Sequence, residues 1–216
     1  MSVIGIVGRQ IFPNHLFLDL KLIFFLCCIA VCSVEGFAQE KGIPFYNDVF
    51  DKFPKYESKG FVFPVGEQSF KGYYNAKQFK DDNHLGEDWN GTGGGNSDLG
   101  DTIYSTSSGF VRFARDTGIR SWGNVIRIIH KYKGKYYESV YAHCDTITVK
   151  ENTMISIGRK VGTIGTANGS YPAHLHFELR DDVTMGLGYG YSEEDAGYMH
   201  PTQFIQRNAY ENPSAQ

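Results

Sequence analysis

Three short stretches hold the residues whose types and spacing could do chemistry. In Ala173-His174-Leu175-His176-Phe177-Glu178-Leu179-Arg180, polar and apolar residues alternate strictly. On an extended strand, His174, His176, Glu178 and Arg180 share one face, and Leu175, Phe177 and Leu179 turn the other way into a core. Two imidazoles two residues apart on one face suit a metal site or an acid–base pair. The same pattern also suits a strand whose polar face meets solvent. In Asn83-His84-Leu85-Gly86-Glu87-Asp88, a histidine precedes a carboxylate by four residues. Gly86 between them lets the chain bend so that both side chains converge, and imidazole nitrogen and carboxylate oxygen are both zinc ligands. Glu87 is the competing carboxylate, and an ordinary polar loop is the competing reading. The third stretch, Tyr141-Ala142-His143-Cys144, ends a strand. Alternation puts Tyr141 with His143 on one face and Ala142 with Cys144 on the other. Cys144 then packs in the core, with no activating neighbour to make it a nucleophile. His15 lies ahead of an apolar run. His130 reads as a half-buried sheet residue, and His200 before Pro201 as a turn.

The elements that must position these residues are short strands. Residues 61–65 read as a first strand. Thr102–Ser105 and Gly109–Arg115 flank a Ser-Ser-Gly turn, and Asn124–Tyr132 and Lys135–His143 flank Lys133-Gly134, a hairpin signal. Lys160–Gly165 and Leu175–Arg180 complete the set. No long run keeps a helical period with caps, so the expectation is a mainly β fold, an antiparallel β-sheet domain over 61–207 with long loops and few or no helices. The glycine-rich stretch 89–101 is long for a loop, and is either functional or an insertion. Residues 39–60 lack periodicity and read as an extended N-terminal arm; 208–216 form a tail.

Composition limits the function classes. The chain of 216 residues is 41% hydrophobic and 21% charged, which is globular usage. A net charge of −3 lacks the basic footprint of a nucleic-acid binder. Lys21, the apolar run 22–32, and the small residues Gly36 and Ala38 fit a secretory signal peptide over 1–38, cleaved after Ala38. The run is shorter than the roughly 20 residues a membrane-spanning helix needs. A buried N-terminal element and a lipoprotein acylated at Cys32 are the alternatives, and translation could start further in than Met1. The protein is therefore expected to be exported, to periplasm, cell envelope or exterior. Cys27, Cys28 and Cys32 fall in the leader, so the body keeps only Cys144 and no disulfide framework.

In order along the chain, His84-x3-Asp88, Tyr141-Ala142-His143 and His174-x-His176 resemble the lysostaphin-type zinc metallopeptidases (LytM domain). The resemblance extends to Phe63-Pro64-Val65, Gly100–Ser105, Ser108–Val111, Gly123–His130 and Ile157–Gly165, and covers about 61–206. It implies one zinc per chain held by His84, Asp88 and His176, with His143 and His174 close by as catalytic groups rather than ligands. Two histidines and one carboxylate leave a fourth tetrahedral position open for water, as in catalytic rather than structural zinc sites. The resemblance also implies a narrow groove, and hydrolysis of stem or cross-bridge peptides of bacterial peptidoglycan, with water activated by zinc and assisted by the two histidines. Which of the two is the general base, and which peptide bond is cut, stay open. The glycine-rich stretch and the missing wall-binding module depart from many relatives. A non-catalytic domain that binds peptidoglycan or regulates an amidase is the second reading, although relatives that only activate other enzymes have often lost ligands. A hydrolase of other proteins is the third. Residues 39–60 could also fold over the groove and restrain activity.

Overall fold

The strict alternation around Lys133-Gly134 produces the centre of the sheet. Both turn residues have positive φ, 48° at Lys133 and 74° at Gly134, the geometry of a tight two-residue hairpin. The turn joins β5 (Asn124–Tyr132) to β6 (Lys135–Cys144). The structure, a computed structural model, describes residues 42–211; the predicted leader and residues 212–216 lie outside them. The further strands are β1 (Tyr73–Lys77), β2 (Glu87–Gly91), β3 (Thr102–Tyr104), β4 (Gly109–Asp116), β7 (Met154–Ile155), β8 (Lys160–Thr163), β9 (Leu175–Arg180) and β10 (Tyr198–Met199). One antiparallel sheet runs β1-β2-β9-β6-β5-β4-β7, with β10 also paired to β9, and β3 and β8 form a separate pair.

One face of the sheet carries the main core, where Val111, Ile126, Ile128, Tyr141, Leu175, Phe177 and Leu179 bury together. Each such side chain contributes about 1.5–3 kcal/mol when fully buried, more than the roughly 0–1 kcal/mol of an exposed ion pair. The central strands are covered on both faces, and all six residues of β9 are buried. The alternative reading of β9, a strand whose polar face meets solvent, is therefore closed off. His130 is likewise fully buried rather than half-buried, between Ser108 O at 2.9 Å and Ser139 Oγ at 2.8 Å.

The arm is not extended. Residues 43–52 form α1 (Ile43–Lys52), and Pro54–Tyr56 follow as a 3-10 turn. Pro44 sits in the first turn, where its missing N–H costs nothing. Tyr46 and Phe50, one turn apart, bury against Phe110 and Ile129. The period was obscured because Ile43, Phe45 and Phe53 are also apolar yet exposed. Residues 61–65 form no regular strand. Phe61 instead bridges Ala209 beyond α2 (Pro201–Arg207), the helix that begins where a turn was expected at His200. Among the described residues, no helix is long and apolar enough to cross a membrane.

Candidate metal centre

Asp88 of β2 and His176 of β9 are direct cross-strand partners, and such partners share a face. Their Oδ1 and Nδ1 atoms lie 3.0 Å apart. Glu87 pairs with Phe177 and takes the other face. There it is buried, accepts hydrogen bonds from Thr202 N and Oγ1, and lies 3.0 Å from His200 Nδ1.

His84 reaches the same point from the loop before β2, which turns through left-handed residues at Lys80, Asp82 and Asn83. Its Nε2 is 3.0 Å from His176 Nδ1 and 3.3 Å from Asp88 Oδ1. Gly86 supplies clearance rather than a bend. A Cβ there would lie 2.7 Å from Phe177 O and 2.9 Å from His176 Cε1. Any side chain would push the His84 loop off β9.

The outer partners fix which nitrogens face inward. His84 Nδ1 meets the Gln78 carbonyl at 3.3 Å and His176 Nε2 meets Glu178 Oε1 at 3.0 Å. Both partners only accept, so these nitrogens carry the protons, and the neutral rings turn lone pairs inward. Two imidazole lone pairs and a carboxylate oxygen then face one another with no donor between them. That arrangement calls for a cation, and two histidines with one carboxylate suit zinc. His84, Asp88 and His176 are the group of this kind found among the described residues, each offering one atom within 4.8 Å of the others. Without a cation a proton fills the gap. Burial disfavours a charged His176, but its hydrogen bonds to Asp88 and Glu178 outweigh burial and push its pKa up to about 9. Burial alone would raise Asp88; hydrogen bonds from His176 and His84 outweigh it and hold the carboxyl well below the usual range.

His143 arrives by a route that alternation does not predict. Asn124 pairs with Cys144 and Ile126 with Tyr141, so Ala142 and His143 together oppose Val125 in a β-bulge. His143 takes φ 64° there. The expected pairing of faces is thereby broken. Tyr141 and Cys144 both enter the main core, while Ala142 packs with Trp122 and Val140. The His143 ring turns into the cleft, 4.8 Å from the His174 ring and 5.5 Å from the His176 ring. Its Nδ1 lies 3.3 Å from Trp122 O. Burial, with the charges of His176 and His174, pushes its pKa down to about 3. It is a neutral imidazole with Nε2 unprotonated.

His174 stands just before β9. Its Nδ1 lies 2.9 Å from Pro172 O, and its Nε2 lies 3.8 Å from Asp88 Oδ1. The glycine-rich stretch holds it in place. Asn90 Nδ2 donates to Ala173 O at 3.1 Å, and Ala173 N donates to Asn96 Oδ1 at 2.9 Å.

All five residues fall within 83–186, the segment that matches Peptidase family M23. Lipoprotein NlpD of Yersinia enterocolitica is 36% identical over 81 residues, which are 38% of this chain and 78% of that one. The chain belongs to Peptidase family M23. Murein hydrolase activator NlpD of Salmonella dublin is 33% identical over 112 residues, 49% of this chain. The match spans only 28% of that relative's length. The solution structure of lysostaphin superimposes with a TM-score of 0.53 at 19% identity, covering 71% of this chain and 57% of that one. The fold is therefore of the lysostaphin type.

The cleft of this M23 domain is about 140 Å³ and is floored by Asp88, His143, His174 and His176. Trp122, Tyr171, Tyr189 and Tyr191 line its walls. Sequence reasoning passed over these four aromatics, and over Asn90 and Asn96. Asn90 arrives on β2 and the others on loops, and only the Gly188-Tyr189-Gly190 triplet is a visible sign of a displayed side chain. Residues 42–60 do not line the cleft.

Proposed function

We propose that this chain is an exported zinc metalloendopeptidase that hydrolyses peptide cross-links of bacterial peptidoglycan. The observation that carries the proposal is the convergence of His84 Nε2, Asp88 Oδ1 and His176 Nδ1 beside two further histidines in one cleft. Zinc held there supplies Lewis-acid polarisation of a scissile carbonyl and activation of water at neutral pH. The chain's own groups do the rest. Neutral His143, anchored through Trp122 O, presents Nε2 to take the proton of the attacking water. His143 then returns that proton to the leaving amine, and His174, anchored through Pro172 O, is left to stabilise the oxyanion. The aromatic walls exclude bulk water and align an extended peptide over the four polar groups.

Peptidoglycan as substrate is supported by the relatives named murein hydrolase activators. Export is supported by the leader pattern and by relatives named lipoproteins. The same relatives favour a second reading, in which the domain stimulates a wall hydrolase. The decisive experiment is zinc analysis of the purified protein, with release of fragments from purified sacculi with and without a chelator. One zinc per chain and chelator-sensitive release by the protein alone are expected. Release only when a wall amidase is added would favour the activator reading.

A further inference from the structure

We propose that Arg180 is a positioning residue that builds both the metal centre and one wall of the cleft from a single buried cation. The metal half rests on the zinc reading above; the wall half does not.

Arg180 is fully buried, and its guanidinium points two ways. Towards the metal centre, Nε and one terminal nitrogen donate to Glu178 Oε2 at 2.9 and 2.5 Å. The other Glu178 oxygen accepts from His176 Nε2. Arg180 thus holds the carboxylate that sets the ring orientation of His176. Towards the wall, its two terminal nitrogens donate to Gly186 O and Leu187 O, each at 2.7 Å. Tyr198 stacks on the guanidinium at 4.9 Å.

The wall is fixed by more of the same. Arg127, paired with Glu138, donates to Met185 O at 2.6 Å, and Arg112, on the same glutamate, to Val183 O at 2.5 Å. The segment 183–187 therefore hands four carbonyls to three guanidiniums. It then passes into Gly188 and Gly190, both at φ 76°. Between them Tyr189 stands 91% exposed on the lip of the cleft. Beyond it, Leu85 N donates to Gly190 O, and Ser192 N to Asn83 O, each at 2.9 Å. These bonds tie the lip to the loop that carries His84.

Burying so many charges is a poor route to stability, since desolvation offsets much of the attraction. Their use is placement, and the fork of an arginine is essential to it. A lysine keeps the charge but cannot grip a carboxylate and two carbonyls in one plane.

The test uses purified Arg180→Lys and Glu178→Gln proteins, read by zinc affinity in chelator competition and by amide hydrogen exchange of the metal-free forms. Arg180→Lys is expected to weaken zinc by about 10–100-fold and to lose protection at the Leu85 and Ser192 amides, while Ile126 and Ile128 of β5 stay protected. Zinc affinity within about twofold of the parent, or an unchanged lip, overturns the proposal. Glu178→Gln leaves the carbonyl bonds of Arg180 in place, and should weaken zinc with the lip still protected. It serves if Arg180→Lys does not fold, and unchanged zinc affinity in it refutes the metal half. A parent protein that binds no zinc would sink the zinc reading itself, and exchange would then decide the wall half alone.

Discussion

Asp88 and His176 face each other across β2 and β9 with 3.0 Å between Oδ1 and Nδ1, while Glu87, one residue away, faces Phe177 on the other side. Strand register alone separates the two carboxylates, because neighbouring residues on a strand point to opposite faces. Asp88→Asn is expected to remove stoichiometric zinc. Glu87→Gln should do the reverse, keeping zinc but losing about 1–3 kcal/mol of stability, because it disturbs the buried contacts to Thr202 and His200. Zinc analysis and denaturant unfolding of both variants check this. A Glu87→Gln protein without zinc would mean that the register has been misassigned.

His143 and His174 enclose the cleft without joining the three-atom cluster. His143→Ala and His174→Ala should each retain zinc and lose about 10²–10⁴-fold in turnover, the usual share of a general acid or base. Elemental analysis beside a sacculus-release assay reads both quantities. Either variant arriving without zinc would contradict the division between ligands and proton carriers.

How much was legible depended on whether a residue's surroundings are local. The hairpin of β5 and β6 and the strand β9 announce themselves through alternation and through Lys133-Gly134. β1 does not, because its sequence YYNAK alternates only between half-buried and exposed positions on a sheet edge. α1 hides Tyr46 and Phe50 among exposed apolar neighbours. The candidate ligands fell in spacings that can be read along the chain. The approach of His143 could not be read, since a bulge exists only relative to the partner strand, here Val125 of β5. The Asn90–Asn96 grip on Ala173 links residues far apart in sequence and leaves no periodic trace.

The packing of α1 bears on the idea that residues ahead of the domain restrain it. Tyr46 and Phe50 are fully buried, and Tyr136 Oη donates to Asn47 Oδ1 at 2.7 Å. Deleting residues up to 60 would uncover Phe110 and Ile129. Truncating one large buried aromatic costs about 3–5 kcal/mol, so the shortened protein should unfold at much lower denaturant and show no gain in activity. Chemical unfolding and sacculus release, run on both lengths, test this. A stable and more active truncation would restore the inhibitory role.

His130 provides a pH signature separate from the candidate centre. Burial lowers its pKa from 6.5 to about 4, and the hydrogen bond to Ser108 O only partly offsets that effect. The folded protein therefore holds the ring neutral where the unfolded chain would already be protonated. The unfolded state binds more protons between these two values, so stability falls as pH drops from about 6.5 towards 4 and levels off below. The full shift corresponds to on the order of 3 kcal/mol. A His130→Gln variant cannot titrate here. Its loss of stability relative to the parent should be largest above pH 6.5 and shrink steadily down to pH 4. Denaturant unfolding at a series of pH values, on both proteins with zinc removed, gives the difference curve. A gap that stays constant across the range would show that His130 does not titrate as its burial requires.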